Sequence, residues 1–200
     1  MLHCALILLT VGAVALLITG LFLFFLPHLF REFGLRQKLI DGLPSENAYK
    51  GLYSLLAILG LVLIVLGKGQ SEFIMIWEPR FELRNISLML MIPVFILVMA
   101  GNMPMSWLRK TLRNPMMLGT VLWGIAHLWS NGDLASILLF GGFTLWAGFK
   151  YVSMNLRNEP VTTAPSVVWD VAAVVAGLFL YGLIAVYHGE LFGVGLSFAQ

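Results

Sequence analysis

The chain alternates between long runs that hold no Asp, Glu, Lys or Arg and short stretches that hold all of them. The uncharged runs place membrane spans near residues 5–26, 51–67, 86–107, 115–131, 134–149 and 169–189. A hydrocarbon core about 30 Å thick needs about 20 residues of helix at 1.5 Å each, so each run is long enough to cross or nearly so. A membrane β-barrel would show alternating segments of about 10 residues, whereas these runs are continuous and longer. Composition agrees. Charged residues make up 11% of the 200 residues and hydrophobic ones 60%, too few ionisable groups to solvate the surface of a soluble domain. The expected fold is therefore all-α: a polytopic transmembrane helix bundle of six spans, forming a single membrane domain over residues 1–200. In such a bundle each helix satisfies its own backbone polar groups, as lipid demands.

The few charges orient the chain. Arg31, Arg36, Lys38, Lys50, Arg109, Lys110, Arg113, Lys150 and Arg157 fall in the odd-numbered loops, against Lys68, Arg80 and Arg84 on the other side. That asymmetry predicts cytoplasmic odd loops and both termini outside. Trp77 and Trp129 then mark the outer interface, Trp107 and Trp169 the inner one. The segment Pro104–Pro115 interleaves Trp107, Leu108 and Leu112 with Arg109, Lys110 and Arg113, the pattern of a short helix on the inner leaflet or of a basic tether. Asn131-Gly132-Asp133 reads as a tight turn, with Asp133 placed to cap the fifth span. A net charge of +2 gives no electrostatic footprint for nucleic acid; the expected surroundings are the lipid bilayer and other membrane proteins. The single cysteine, Cys4, excludes an internal disulfide.

Polar groups at membrane depth are costly and so carry most of the functional information. His3 sits at the N-terminus, outside the first span. His127 lies about 18 Å into the fourth span, with Trp123 and Gly124 one turn back and Thr120 a turn further. An imidazole so flanked can ligate a planar cofactor, and it can equally make an interhelical hydrogen bond. His188 lies near the outer end of the last span, beside Tyr187 and before Glu190. His28 follows Pro27 at the inner end of the first span. By depth, His127 pairs better with His188, both lying toward the outer face, than with His28 at the inner boundary. The methionines, scattered among Leu and Ile, read as packing rather than copper ligands. No nucleotide-binding glycine motif, zinc motif or nucleophilic triad is present.

The run from Arg113-Asn114-Pro115 through Gly119, Trp123 and His127 to Asn131-Gly132-Asp133 and Gly141-Gly142-Phe143 resembles the NnrU family of bacterial integral membrane proteins. Pro27-His28-Leu29-Phe30-Arg31, Tyr49-Lys50-Gly51-Leu52-Tyr53 and the segment His188 to Val194 agree with it. The resemblance implies relation to the plastid 15-cis-zeta-carotene isomerase and binding of haem b, with His28 and His127 matching that enzyme's histidine motifs. His188 is the alternative axial ligand by geometry, and Trp123 with Trp146 would line a dry pocket. It also implies either a redox or isomerase-like enzyme acting on an apolar small molecule, or an accessory protein in nitrite and nitric oxide metabolism. One departure is visible: the family's Arg-His-Pro is here Arg113-Asn114-Pro115.

Two other readings compete. Arg113 to Gly119 is similar to an S-adenosylmethionine-binding motif of membrane methyltransferases, although the stretch that should complete it offers only Arg157 and Glu159. Alternatively the protein is a non-catalytic assembly subunit, whose glycine-rich helix faces receive partner helices.

Overall fold

The computed structural model describes the backbone of residues 2–80, 84–157, 162–194 and 196, with side chains from Val11 onward. The side chains of His3 and Cys4, and Glu159, lie outside the described residues. The described residues are mostly helical: α1 Leu2–Leu29, α2 Leu35–Asp41, α3 Glu46–Gln70, α4 Arg84–Asn102, α5 Trp107–Leu112, α6 Pro115–Ser130, α7 Leu134–Leu156 and α8 Val167–Phe192. Among the described residues there is no strand beyond one isolated bridge, Met75 to Asp133. Five helices among the described residues are long and apolar enough to cross a membrane: α1 from Val11 on, α3, α4, α7 and α8. The sixth expected span is α6, whose 16 residues extend about 24 Å.

Helix ends follow local chemistry. Ser45 caps α3, its hydroxyl accepting from Ala48 N–H at 3.1 Å. Gly34 enters α2 with φ 66°, a left-handed conformation that a Cβ would disfavour. α4 stops at Asn102 rather than running to residue 107, because Pro104 disfavours helical geometry in the residue before it. Ser106 then caps the separate helix α5. α7 runs seven residues beyond Phe149, the last uncharged position of that span, since charges cost little once the helix has reached the interface.

The residues group into two compact units, 1–79 with 131–146 and 80–130 with 147–200, so that α7 divides after Trp146. In the first unit α1 crosses α3 at backbone contact. A Cβ on Gly20 would lie 2.6 Å from the Ile64 nitrogen, and one on Gly60 2.6 Å from that of Phe24. Lipid offers helices little hydrophobic reason to associate, so close van der Waals approach at small residues holds the pair. Leu17, Leu21, Ile64 and Ala135 form the core there, joined by Phe24, Phe25 and Phe143. The predicted turn at 131–133 is held by the segment after α3: Ile76 N–H donates to the Gly132 carbonyl at 2.8 Å, and Leu134 N–H to that of Ile74 at 2.8 Å.

In the second unit α4 packs against both α6 and α8. Gly119 of α6 sits where a Cβ would meet Leu97 at 3.1 Å, and Gly177 of α8 where one would meet the Ile96 Cα at 2.7 Å. The Ser130 hydroxyl donates to that of Ser87 at 2.7 Å. α5 is tied to α8: the Asp170 carboxylate accepts the N–H groups of Trp107 and Leu108, both at 2.9 Å. Those are orphan donors of a helix start, met here by a charged acceptor from another helix.

Candidate functional site

Three half-buried histidines share one local arrangement. In the last turn of α1, His28 Nδ1 lies 2.6 Å from the carbonyl oxygen of Phe24, one turn back. In α6, His127 Nδ1 lies 2.8 Å from that of Trp123, again one turn back. His188 Nδ1 lies 2.6 Å from the carbonyl of Val194, just past the end of α8. A carbonyl oxygen only accepts, so in each case Nδ1 carries the proton and donates. The lone pair of the neutral ring then resides on Nε2. A second-shell carbonyl holding Nδ1–H is how metal-ligating histidines are commonly oriented and made more basic.

Each ring is also held by aromatic neighbours. His28 stacks on Phe24, centroids 4.5 Å apart at 28°, and meets Tyr53 at 5.0 Å and the edge of Trp146 at 5.6 Å. Trp146 in turn stacks on Phe25 at 5.3 Å. The helix period explains this: residues 17, 21, 24 and 28 lie along one stripe of α1, so the stripe that forms the core with α3 ends at the imidazole. His127 meets Trp123 at 5.0 Å, tilted by 48°. His188 meets Phe192 at 4.9 Å. The two tryptophans expected to line a pocket thus attend different histidines, Trp146 with His28 in the first unit and Trp123 with His127 in the second.

His127 and His188 belong to the same unit. His28 belongs to the other unit. Tyr53 beside His28 belongs to the family-like run Tyr49–Tyr53, which marks the segment but gives Tyr53 no role; Tyr49 lies one turn away on α3, with the two rings 6.3 Å apart. Among the described residues no three His, Cys, Asp or Glu side chains gather as a chelating metal site.

The segment proposed for S-adenosylmethionine has a different occupation. Gly119 is consumed by packing on α4. Arg113 takes φ 60° and ψ −52° between α5 and α6, closed by Asn114 N–H donating to the Leu112 carbonyl at 2.6 Å. That is a γ-turn, strained for a residue with a Cβ. Asn114, where the family usually has histidine, donates from its side-chain amide to Asn155 of α7 at 3.2 Å. It serves there as a helix-to-helix tie.

The expected cap at the start of α7 is present: Asp133 Oδ1 accepts the Ser136 N–H at 3.0 Å and the Lys68 ammonium at 2.9 Å. Burial of this carboxylate works to raise its pKa. Hydrogen bonds from Ser136 and the nearby Lys68 charge outweigh that and hold it below the ordinary aspartate value. Lys68 and Asp133 therefore form a structural ion pair between α3 and the start of α7.

Compared with known proteins, the chain matches the family described as NnrU protein over residues 16–196. No curated protein and no solved structure matches it.

Proposed function

Because this chain belongs to the NnrU family, with helices fit to span a membrane, we propose that it binds haem b through histidine Nε2 atoms, His127 foremost. The observation that supports the reading is the shared Nδ1–H to carbonyl geometry of His28 and His127. It leaves the lone pair of each neutral ring on Nε2, the atom that would hold the haem iron. Haem fits the donor set because it brings four of its own ligands and asks the protein for only one or two imidazoles. His28 is the second ligand that the resemblance implies, and His188, in the same unit as His127, is the alternative. When bound, the haem supplies an iron that exchanges electrons and accepts a small ligand such as an alkene or a nitrogen oxide.

The remaining work belongs to the chain. Trp123 and Phe24 fix the imidazole planes from one turn back, and the backbone carbonyls hold each Nδ1 proton in place. Apolar helix faces exclude water, which suits a sparingly soluble substrate. The setting is the inner membrane of a bacterium, and the role is a redox or isomerase-like reaction on an apolar molecule or support of nitrite and nitric oxide metabolism.

Titration of haemin into purified apo-protein tests the reading. The native chain should develop a saturable Soret band, and His127→Ala should lose it or weaken binding by at least tenfold. Of His28→Ala and His188→Ala, the one that converts a six-coordinate spectrum to a five-coordinate one identifies the second ligand. Equal, non-saturable uptake by all four proteins would overturn the proposal.

A further inference from the structure

The stretch that follows α3 carries five apolar residues in a row, Phe73-Ile74-Met75-Ile76-Trp77, between Glu72 and Glu78. It is not helical, and it is pinned to residues 132–134. Ile76 and Trp77 N–H donate to the Gly132 carbonyl at 2.8 and 3.2 Å, and Leu134 N–H donates to that of Ile74 at 2.8 Å. Met75 bridges Asp133, whose carboxylate holds the Lys68 ammonium at 2.9 Å. Gly132 and Asp133 beneath it are buried. All five apolar side chains above are exposed, Phe73 by 69% and Ile76 by 58%. Exposure of every residue in succession, rather than of every second one, leaves both sides of the stretch open.

We infer that residues 73–77 are a lipid-binding strap, lying in the interface of the leaflet where α3 ends and α7 begins, with their side chains among the upper acyl chains. Depth selects lipid as the occupant. The uncharged run of α3 closes at Gly67, and Lys68, Asp133 and Met75 are linked at that level. The stretch is therefore held at the membrane boundary and does not rise clear of it as a solvated loop would. It also continues the open apolar face of α3, where Val62, Val65 and Leu66 are exposed to the same medium. Trp77 is of the residue type that settles at headgroup level, and Glu72 and Glu78 keep the two ends in the headgroup layer. Non-helical backbone is costly deeper in hydrocarbon. At the interface the bonds to residues 132 and 134 satisfy part of it, and interfacial water reaches the rest. In bulk water the same five side chains would form an apolar patch of the kind that soluble surfaces avoid. So placed, the strap screens the polar turn at 131–133 from acyl chains.

Spin labels on single cysteines test this, with the full chain reconstituted into vesicles of phosphatidylcholine and phosphatidylglycerol. Cys4→Ser removes the one native cysteine. Phe73→Cys, Met75→Cys and Ile76→Cys then place the label on the strap, and Val65→Cys on α3 is the lipid reference. Each strap label should collide more often with oxygen, which concentrates in lipid, than with a water-soluble nickel chelate, as the label at position 65 does. A second readout needs no label and no cysteine. The part of the tryptophan emission that Trp77→Phe removes should be quenched several-fold more by lipid brominated near the carboxyl end of its chains than by iodide in the water. Preferential collision with the nickel chelate would reveal a solvated loop, and poor access of both reagents would reveal cover by a second copy of the chain. Either result, or Trp77 emission quenched by iodide and not by brominated lipid, would overturn the inference.

Discussion

A histidine whose Nδ1 donates to the carbonyl one turn back keeps its lone pair on Nε2, and in this chain that holds for His28 and His127 alike. The aromatic residue four positions earlier supplies both the carbonyl and a ring against the imidazole, so Phe24 and Trp123 act twice each. Phe24→Leu leaves the carbonyl in place but removes the stack and the contacts with Phe143 and Trp146. It should cost roughly 1–3 kcal/mol, read as a lower thermal midpoint in detergent with helix content unchanged. Gly132 offers a sharper case. A Cβ there would collide with the Trp77 carbonyl oxygen, so Gly132→Ala should cost roughly 1–3 kcal/mol and lower the midpoint, where Gly12→Ala, with open space around it, should not. The three histidines were legible in the sequence as polar groups where such groups are rare. The packing of Tyr53 and Trp146 on His28 was not, because it depends on which helix faces meet.

At the scale of elements, the two carboxylates with the firmest partners both sit at helix starts. Asp170 holds the first turn of α5 from α8, and Ser166 N–H bonds the Met105 carbonyl beside it. Asp170→Ala should fray α5, costing about 1–2 kcal/mol in its cap, and tryptic cleavage after Arg109 and Lys110 should quicken. Asp133 gives a pH signature. Its carboxyl is held below the ordinary aspartate value, so its contribution is complete above that value and is lost as pH falls through the lowered one. The stability gap between native protein and Asp133→Asn should therefore be full near neutrality and close on strong acidification. A gap that does not vary with pH would show that the Lys68 pair contributes nothing. Charge spacing in the sequence located the cap at Asp133, since helix starts attract acids within a residue or two. The Lys68 partner, 65 positions away, had no such local signal.

For the whole molecule, sequence reading reached the all-helical membrane class, because hydropathy over some twenty residues is a strong signal, and the family, because motifs such as Asn131-Gly132-Asp133 stand in the expected order along the chain. Helix ends moved where the signal is weak: α4 stopped early at Pro104, and α7 continued two turns beyond the apolar run. The division into two units, one holding His28 and the other His127 and His188, had no sequence counterpart. It arises from glycine-mediated crossings of α1 with α3 and of α4 with α6 and α8, which only contacts reveal. The central claim is that these prepared imidazoles serve a haem. The visible absorption spectrum of the full chain, purified from haem-replete cells, tests it most directly. The account predicts a Soret band that is lost in His127→Ala while helix content is kept; a colourless native protein, or an unchanged band in that variant, would contradict it.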